Sequence, residues 1–317
     1  MPRNNGLVIS KAQARAIDAA AISELGLSGL LLMENASRGV CEVLEQEFHL
    51  ANPISAFLNS LDERGPGMPE ERHRVLFEVI QASRTFSVED LWAAIERTNT
   101  ASTQVSRAIV YRTVHALAEI GLLTLDSSEH SAKMNFGRAF VVCGPGNNGG
   151  DGIALTRHCH ARGLPAKLML ISGEKPLSAD AAANLEFLTN AGIEIERITV
   201  DEQIQQLKNL AADDIIVDCL LGTGANGAPR EPFRSVIAAI NQSPAKVLAV
   251  DVPSGLDCDT GIAAGACVQA DKTITFVGIK QGYQESAERR FTGSVAVADI
   301  GIPLYWLHNW LKQNPVD

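Results

Sequence analysis

Val141-Val142-Cys143-Gly144-Pro145-Gly146-Asn147-Asn148-Gly149-Gly150-Asp151-Gly152 runs from an apolar strand through a glycine-rich turn into helix-forming sequence. Glycines let a backbone approach a phosphate closely, and the N-terminus of the helix that follows offers unpaired N–H groups and a partial positive charge. The literal Gly-x-Gly-x-x-Gly spacing is a weak signal alone, because glycine is also the default residue of a tight strand-to-helix turn. What gives the stretch weight is its surroundings.

Working outward, short β-rich runs alternate with helical ones. The strands are expected at Ala139 to Cys143, Ala166 to Ile171, Ile193 to Ile198, Ile215 to Leu220, Val247 to Val252 and Thr273 to Val277. Between them, helices are expected to start near Asp151, Ser178, Asp201 and Pro232, the last with proline in its first turn. Alternating strand and helix implies an α/β fold, a doubly wound, Rossmann-like parallel sheet covered by helices. Such sheets bind ligands outside the carboxyl ends of their strands. Ahead of this region, Lys11 to Leu25 reads as a helix, with a Ser10 cap, Gln13 three residues on and a stop at Gly26. A second helix runs from about Gly29 to Phe48.

Two more strand ends share the character of the first. Asp218-Cys219-Leu220-Leu221-Gly222-Thr223-Gly224-Ala225-Asn226-Gly227-Ala228 follows an apolar strand, and two glycine-rich strand ends in one sheet suit an extended, phosphate-bearing ligand. Asp251-Val252-Pro253-Ser254-Gly255 places a carboxylate on the ligand side, with a proline fixing the turn that aims Ser254. A lone strand-end Asp is as readily a turn former.

Composition narrows the classes. The 317 residues are 46% hydrophobic, enough for about two domains. The longest apolar stretches, Gly29 to Met33 and Ile215 to Leu221, are far short of the roughly 20 residues that cross a bilayer. A soluble, cytoplasmic protein with no membrane partner is expected. The six cysteines are scattered without a Cys-x-x-Cys pair, against disulfides and structural zinc. A net charge of -10 opposes general nucleic-acid binding. His158 and His160, two apart on a helix, face different directions and suggest no metal pair.

Three strings in this order resemble those of the NAD(P)H-hydrate epimerase family: Asn147-Asn148-Gly149-Gly150-Asp151-Gly152, Asp218 with Gly222-Thr223-Gly224, and Asp251-Val252-Pro253-Ser254-Gly255. Met33-Glu34-Asn35-Ala36, Thr275-Phe276, and Lys280 with Gly282 add to the likeness, which covers about Val8 to Phe48 and Ala139 to Pro303. The resemblance implies interconversion of the R and S forms of hydrated NADH and NADPH, so that a separate dehydratase can restore the cofactor. No second domain resembling that dehydratase is seen. It further implies a homodimer, and a potassium ion held by Asn148, Asp218 and Ser254 with backbone carbonyls. A hard, weakly charged cation wants several oxygens, and each of these side chains offers one. Substrate contacts are implied from Asn147, Asn148, Gly149, Gly150 and Asp151, from Gly222, Thr223, Gly224, Ala225, Asn226, Gly227 and Ala228, and from Asp251. Epimerisation needs loss and return of a hydroxyl group, hence an acid and a base. Asp251 is the first candidate and Lys280 the second, though a loop lysine can equally be solvated.

Residues 50–133 interrupt the alternation with three helical segments, after which the pattern resumes. The reading is therefore one domain over 1–49 and 134–317 with an inserted module between, introduced by the Gly/Pro-rich linker Arg64 to Pro69. Glu70 to Leu125 resembles the winged-helix half of ferric-uptake-regulator proteins, at Val110-Tyr111-Arg112-Thr113 and Glu119-Ile120-Gly121-Leu122. A recognition helix is expected from about Thr103 to Glu119, and a wing near Leu122 to Glu129. Between Leu50 and Lys133, 11 acidic residues stand against 8 basic ones, the wrong balance for a DNA reader. DNA is thus an improbable partner, and an interaction or spacer role is preferred. Two other functions stay open: a dinucleotide-dependent oxidoreductase, with Glu174 near the expected ribose position, and a regulator that senses a ligand and reads DNA through the insert.

Overall fold

The computed structural model describes residues 7–62, 70–100, 104–126, 130–171, 176–191, 193, 195, 199–283 and 289–315. The Arg64 to Pro69 linker, Thr103, the wing tip at 127–129 and Glu174 lie outside them. The chain divides into two compact units, one of Met1–His49, Ala139–His158 and Leu168–Asp317, the other of Leu50–Arg138 and Cys159–Lys167.

In the first unit, β1 (Val8–Ile9) leads through Ser10 into α1 (Lys11–Leu25). The expected capping box forms, Ser10 accepting from the Gln13 N–H while the Gln13 side chain accepts from the Ser10 N–H, and Gly26 closes the helix at φ 69°. Helix α2 (Gly29–Gln46) starts from a Ser28 cap and stops two residues short of Phe48.

Among the described residues, the second unit holds four helices over 50–133 rather than three, α3 (Pro53–Asp62), α4 (Glu70–Gln81), α5 (Val88–Arg97) and α6 (Arg107–Glu119). A strand β2 (Thr85–Ser87) precedes α5, and β3 (Leu123–Asp126) and β4 (Ser131–Met134) follow α6, pairing antiparallel in the order β2-β4-β3. Its core gathers Phe57, Leu76, Val79, Ile95, Val110, Leu117 and Met134. Full burial of each large side chain contributes about 1.5–3 kcal/mol, so the unit has a core of its own.

Then follow β5 (Ala139–Cys143), α7 (Asn147–Ala161), β6 (Ala166–Leu170), α8 (Ala179–Asn190), α9 (Val200–Lys208), β7 (Ile215–Cys219), α10 (Phe233–Gln242), β8 (Lys246–Val250), β9 (Lys272–Phe276), β10 (Ile279–Lys280), α11 (Arg289–Thr292), β11 (Ser294–Ala298) and α12 (Leu304–Gln313). Six of the strands form one sheet in the order β11-β9-β8-β7-β5-β6, parallel from β11 through β5. The protein is therefore α/β, with a parallel six-stranded sheet.

Two expectations for the sheet and its glycine loop are corrected as well. The strand read at Ile193 to Ile198 is not the sixth: Ile193 and Ile195 are outside any strand, and 194 and 196–198 lie beyond the described residues. The sixth strand is β11, whose Ser-Val-Ala-Val-Ala is too small and mixed to stand out. The helix expected near Asp151 begins at Asn147, so the asparagine pair and two glycines form its first turn. Glycine is a poor helix former, and close packing overrides it here. A Cβ at Gly149 would lie 1.8 Å from the Gly144 carbonyl oxygen.

The strand order carries the site. From β5 the chain goes outward to β6, then returns to the other side of β5 as β7, so the topology switches direction between β5 and β7. Crevices at such points are where open α/β sheets take ligands. The Gly144 and Gly222 loops leave the sheet there.

Candidate active site

Helix α7 starts directly after β5 and points its first turn at the loop after β7. Asn148, in that turn, is buried, and its Nδ2 donates to the Leu221 carbonyl at 3.1 Å. Its Oδ1 is buried without a hydrogen-bond partner. Gly144 allows the approach of the two loops: a Cβ there would lie 2.0 Å from the Leu220 carbonyl oxygen.

Asp218, on the last turn of pleat in β7, is fully buried. Its Oδ1 accepts from the Ser254 hydroxyl at 2.6 Å and the Leu220 N–H at 3.1 Å, and its Oδ2 from the Ser254 N–H at 2.8 Å. Ser254 Oγ in turn accepts from the Leu221 N–H at 2.8 Å. Burial pushes the Asp218 carboxyl up to about 6, against the opposing pull of the Ser254 and Leu220 hydrogen bonds. Three residues from three strand ends thus enclose a pair of oxygens, one charged, with an orphan acceptor beside them.

Asp251 directly follows β8 in a conformation that most residues avoid, φ 63°. Its backbone is fixed on both sides, its N–H donating to Ile274 at 2.7 Å and its carbonyl accepting from the Tyr283 hydroxyl at 2.9 Å. Its Oδ1 receives Lys280 Nζ at 3.0 Å and Thr275 Oγ1 at 3.1 Å. Lys280 is no solvated loop lysine: it is 1% exposed, on β10, with Nζ also donating to Thr275 Oγ1 at 2.9 Å and to the Phe276 carbonyl at 3.1 Å. Between β9 and β10 the chain reverses through Val277, φ 67°, with the Gly278 N–H on the Phe276 carbonyl at 2.7 Å. A β-branched residue at positive φ is strained, and here the strain turns Lys280 back toward Asp251.

Asp151 is half-buried, and burial holds its carboxyl well above the usual carboxylate range, with the charges of Asp251, Asp18 and Asp180 adding to the rise. The 224–228 loop is exposed, as is Asn147. The loop is held from α1, where Lys11 Nζ donates to the Ala225 carbonyl at 3.0 Å and to Asn226 Oδ1 at 2.9 Å, and Arg15 Nη2 to the Thr223 carbonyl at 2.6 Å.

A family model described as YjeF-related protein N-terminus matches residues 99–282, more than half of the chain. The chain belongs to this family. Among relatives of the YjeF-related family, the chain is 39% identical over 198 residues to an NAD(P)H-hydrate epimerase of Pirellula staleyi, across 59% of this chain and 87% of that protein. It is also 40% identical over 173 residues to the bifunctional NAD(P)H-hydrate repair enzyme Nnr of Escherichia coli, covering 54% of this chain and 31% of that longer protein. In fold it is similar to the crystal structure of the yeast protein YNL200c, with a TM-score of 0.55, 18% identity and coverage of 92% of this chain and 87% of that one.

For this member of the YjeF-related family, sequence reasoning missed the contribution of α1. Lys11, Arg15 and Asp18 stand at i, i+4 and i+7, one face of the helix, a spacing that was open to inspection. Thr275 stands out in the sequence only as part of the Thr275-Phe276 string and Tyr283 not at all, since only the tertiary fold brings them to Asp251. The Met33-Glu34-Asn35-Ala36 string is structural: Glu34 pairs with Arg157 and with His158, at 3.0 Å for the latter, and Asn35 Nδ2 donates to the Ile300 carbonyl at 3.0 Å.

Proposed function

We propose that this chain is an NAD(P)H-hydrate epimerase, interconverting the R and S forms of hydrated NADH and NADPH ahead of a dehydratase. The observation that carries the reading is the convergence, at the switch point, of an oxygen-rich site (Asn148, Asp218, Ser254) and a carboxylate–ammonium pair (Asp251, Lys280). The names of the relatives agree with it. Neither alternative has comparable support: a hydride-transfer enzyme needs a partner group that the described residues of the site do not offer.

Potassium fits the oxygen site. Asp218 is a fully buried carboxylate whose neighbours are neutral donors, and Asn148 presents a buried carbonyl oxygen without a partner. A buried charge without a counter-charge is costly, and a cation offsets that cost. Asn148, Asp218 and Ser254, with backbone carbonyls, would hold the ion, which when bound supplies fixed positive charge beside the glycine loops. The residues themselves do the rest. The start of α7, from Asn147 to Gly149, offers N–H groups to a substrate phosphate, the 222–228 loop borders it, and Asp251 moves a proton at the hydrated ring carbon, with Lys280 and Thr275 fixing its carboxylate.

The second unit we read as a winged-helix module, an inference supported by its order after α3 of helix, strand, two helices and two further strands. A protein-contact or spacer role suits it better than DNA. Arg107, one of two strong phosphate partners on α6, is already paired with Glu89, which also takes the Tyr111 hydroxyl. A cytoplasmic homodimer completes the reading. No helix among the described residues is long and apolar enough to cross a membrane.

The test is to mix purified protein with R-hydrated NADH and a dehydratase specific for the S form, over a range of potassium concentrations. Acceleration of NADH recovery is expected. No acceleration at any monovalent cation concentration overturns the assignment.

A further inference from the structure

Helix α1 brings to the site a carboxyl that none of the strand ends supplies. Lys11 and Arg15 fix which face of the helix looks inward, because both donate to the 223–226 loop. Asp18 is the next residue along that face. The start of the helix is pinned beside the reacting pair by the register of β1 on β10, in which Ile9 lies opposite Lys280. Asp18 interacts electrostatically with both Asp251 and Lys280, and it acts in turn on Asp151 of α7. These are the charged groups facing it, with Arg15 beside it on its own helix.

Its surroundings are unusual for a helix-surface carboxylate. Asp18 is open to solvent, yet burial is the largest influence on it, followed by the charge of Asp251; together they raise its carboxyl to about 6 while Lys280 pulls the other way. Both facts hold for a side chain that water reaches while protein packs around it.

We propose that Asp18 is a second proton-handling residue of the epimerase, working with Asp251 from the other face of the hydrated ring carbon. The inference rests on the epimerase reading above. Inversion at one carbon requires departure from one face and attack on the other, so proton transfer is needed on both. In one direction the Asp18 carboxylic acid protonates the ring hydroxyl. The C–O bond breaks, its electron pair stays with oxygen, and water leaves; the lone pair of the neighbouring ring nitrogen shares the positive charge left on carbon. Water then adds to the opposite face through an oxygen lone pair and gives its extra proton to the Asp251 carboxylate. Return of that proton to Asp18 through solvent closes the cycle with no net change, and the reverse reaction exchanges the two roles. Two carboxyls in unlike environments, one hydrogen-bonded by an ammonium and one not, are a means of assigning acid and base.

The experiment compares wild type, Asp18→Asn and Asp18→Glu in the coupled assay across pH, with the carboxyl of Asp18 followed by NMR titration in wild type and Asp251→Asn. In Asp18→Asn, kcat should fall by roughly a hundredfold or more, with KM changed far less, and Asp18→Glu should recover part of it. Wild-type kcat/KM should fall as pH rises through about 6, in both directions because the epimers differ by no proton, and that limb should vanish in Asp18→Asn. The titration should find Asp18 near 6 and lower in Asp251→Asn, where the like charge is gone. An active wild type whose Asp18→Asn variant keeps its kcat and pH profile, or shows only a raised KM, overturns the proton role while the epimerase stands. An inactive wild type overturns the epimerase reading and the proton role together, and a titration in the ordinary carboxylate range, unmoved by Asp251→Asn, overturns the coupling on its own.

Discussion

Asp251 holds a backbone conformation that, after glycine, asparagine and aspartate accept best, and this decides how to test it. Asp251→Asn keeps φ near 63°, keeps an oxygen for Thr275 and Lys280 to donate to, and removes only the charge. Turnover should then fall by roughly a hundredfold or more with a smaller change in KM, measured in the coupled assay. The same substitution leaves the buried Lys280 ammonium without its counter-charge, so the melting temperature should drop as well. Breaking a buried pair costs up to about 3–5 kcal/mol, and less here because Asp251 keeps some contact with water. Unchanged turnover with weakened binding would make Asp251 a positioning residue. At this scale the sequence was partly legible. Asp251 and Ser254 follow an apolar strand and flank Val252-Pro253, and Asp218 sits in an apolar strand that runs on into the Gly222 turn, which local pattern reveals; the grouping of Asn148 with Asp218 and Ser254 came from the family resemblance. Asp18 and Tyr283 carry no such mark, because what distinguishes them is a partner more than 30 residues away, as for Tyr283 and Asp251, 32 apart.

At the scale of elements, the glycine loop makes two opposite predictions from neighbouring positions. Gly149→Ala would drive a Cβ to within 1.8 Å of a backbone oxygen, which no rotamer change relieves, so a loss of more than about 3 kcal/mol in urea unfolding is expected. Gly146→Ala meets nothing within 4 Å and should stay within about 0.5 kcal/mol of wild type. Comparable effects at the two sites would mean that the loop is not as described. His160, near the end of α7, gives a pH-dependent counterpart. Burial lowers its imidazole to about 4, and its ring lies 5.4 Å from that of Phe77. The folded state therefore favours the neutral form, the unfolded state binds more protons between about 6.5 and about 4, and stability should fall as pH drops through that window, by up to about 3 kcal/mol. His160→Gln should flatten the dependence; an equal slope in both proteins would assign it elsewhere. Most elements were legible from caps and periodicity: Ser10 with Gln13, Ser178 and Pro232 each mark a helix start that the fold uses, and the helix expected near Asp201 begins one residue earlier, from a Thr199 cap. What was not legible is where packing overrode propensity, as in the glycine-rich first turn of α7, or where a strand such as β11 lacks bulky apolar residues.

At the scale of the whole molecule, every proposed ligand and proton carrier lies in the first unit. Replacing residues 50–138 with a Gly/Ser linker should therefore leave epimerase activity within about tenfold of the full chain. The excision also removes partners within the second unit: Asn52, which donates to the Arg162 carbonyl at 2.7 Å, Gln81, which donates to the Ala166 carbonyl at 3.2 Å, and Phe77. Calorimetry should accordingly show a lower melting temperature. A folded but inactive excision variant would instead give the second unit a part in the reaction. One feature of α1 bears on how the molecule comes into being. Arg15 reaches a carbonyl 208 residues along the chain, and the Lys11 N–H reaches the side chain of Asp259, 248 residues along. At roughly 5–20 residues per second of synthesis, α1 leaves the ribosome on the order of 10 to 50 seconds before those partners exist. During that interval a nascent chain cannot be stabilised by substrate, since mass-action stabilisation acts only on a formed site. The protein's ligand can protect finished molecules, and newly made ones must reach the native state without it.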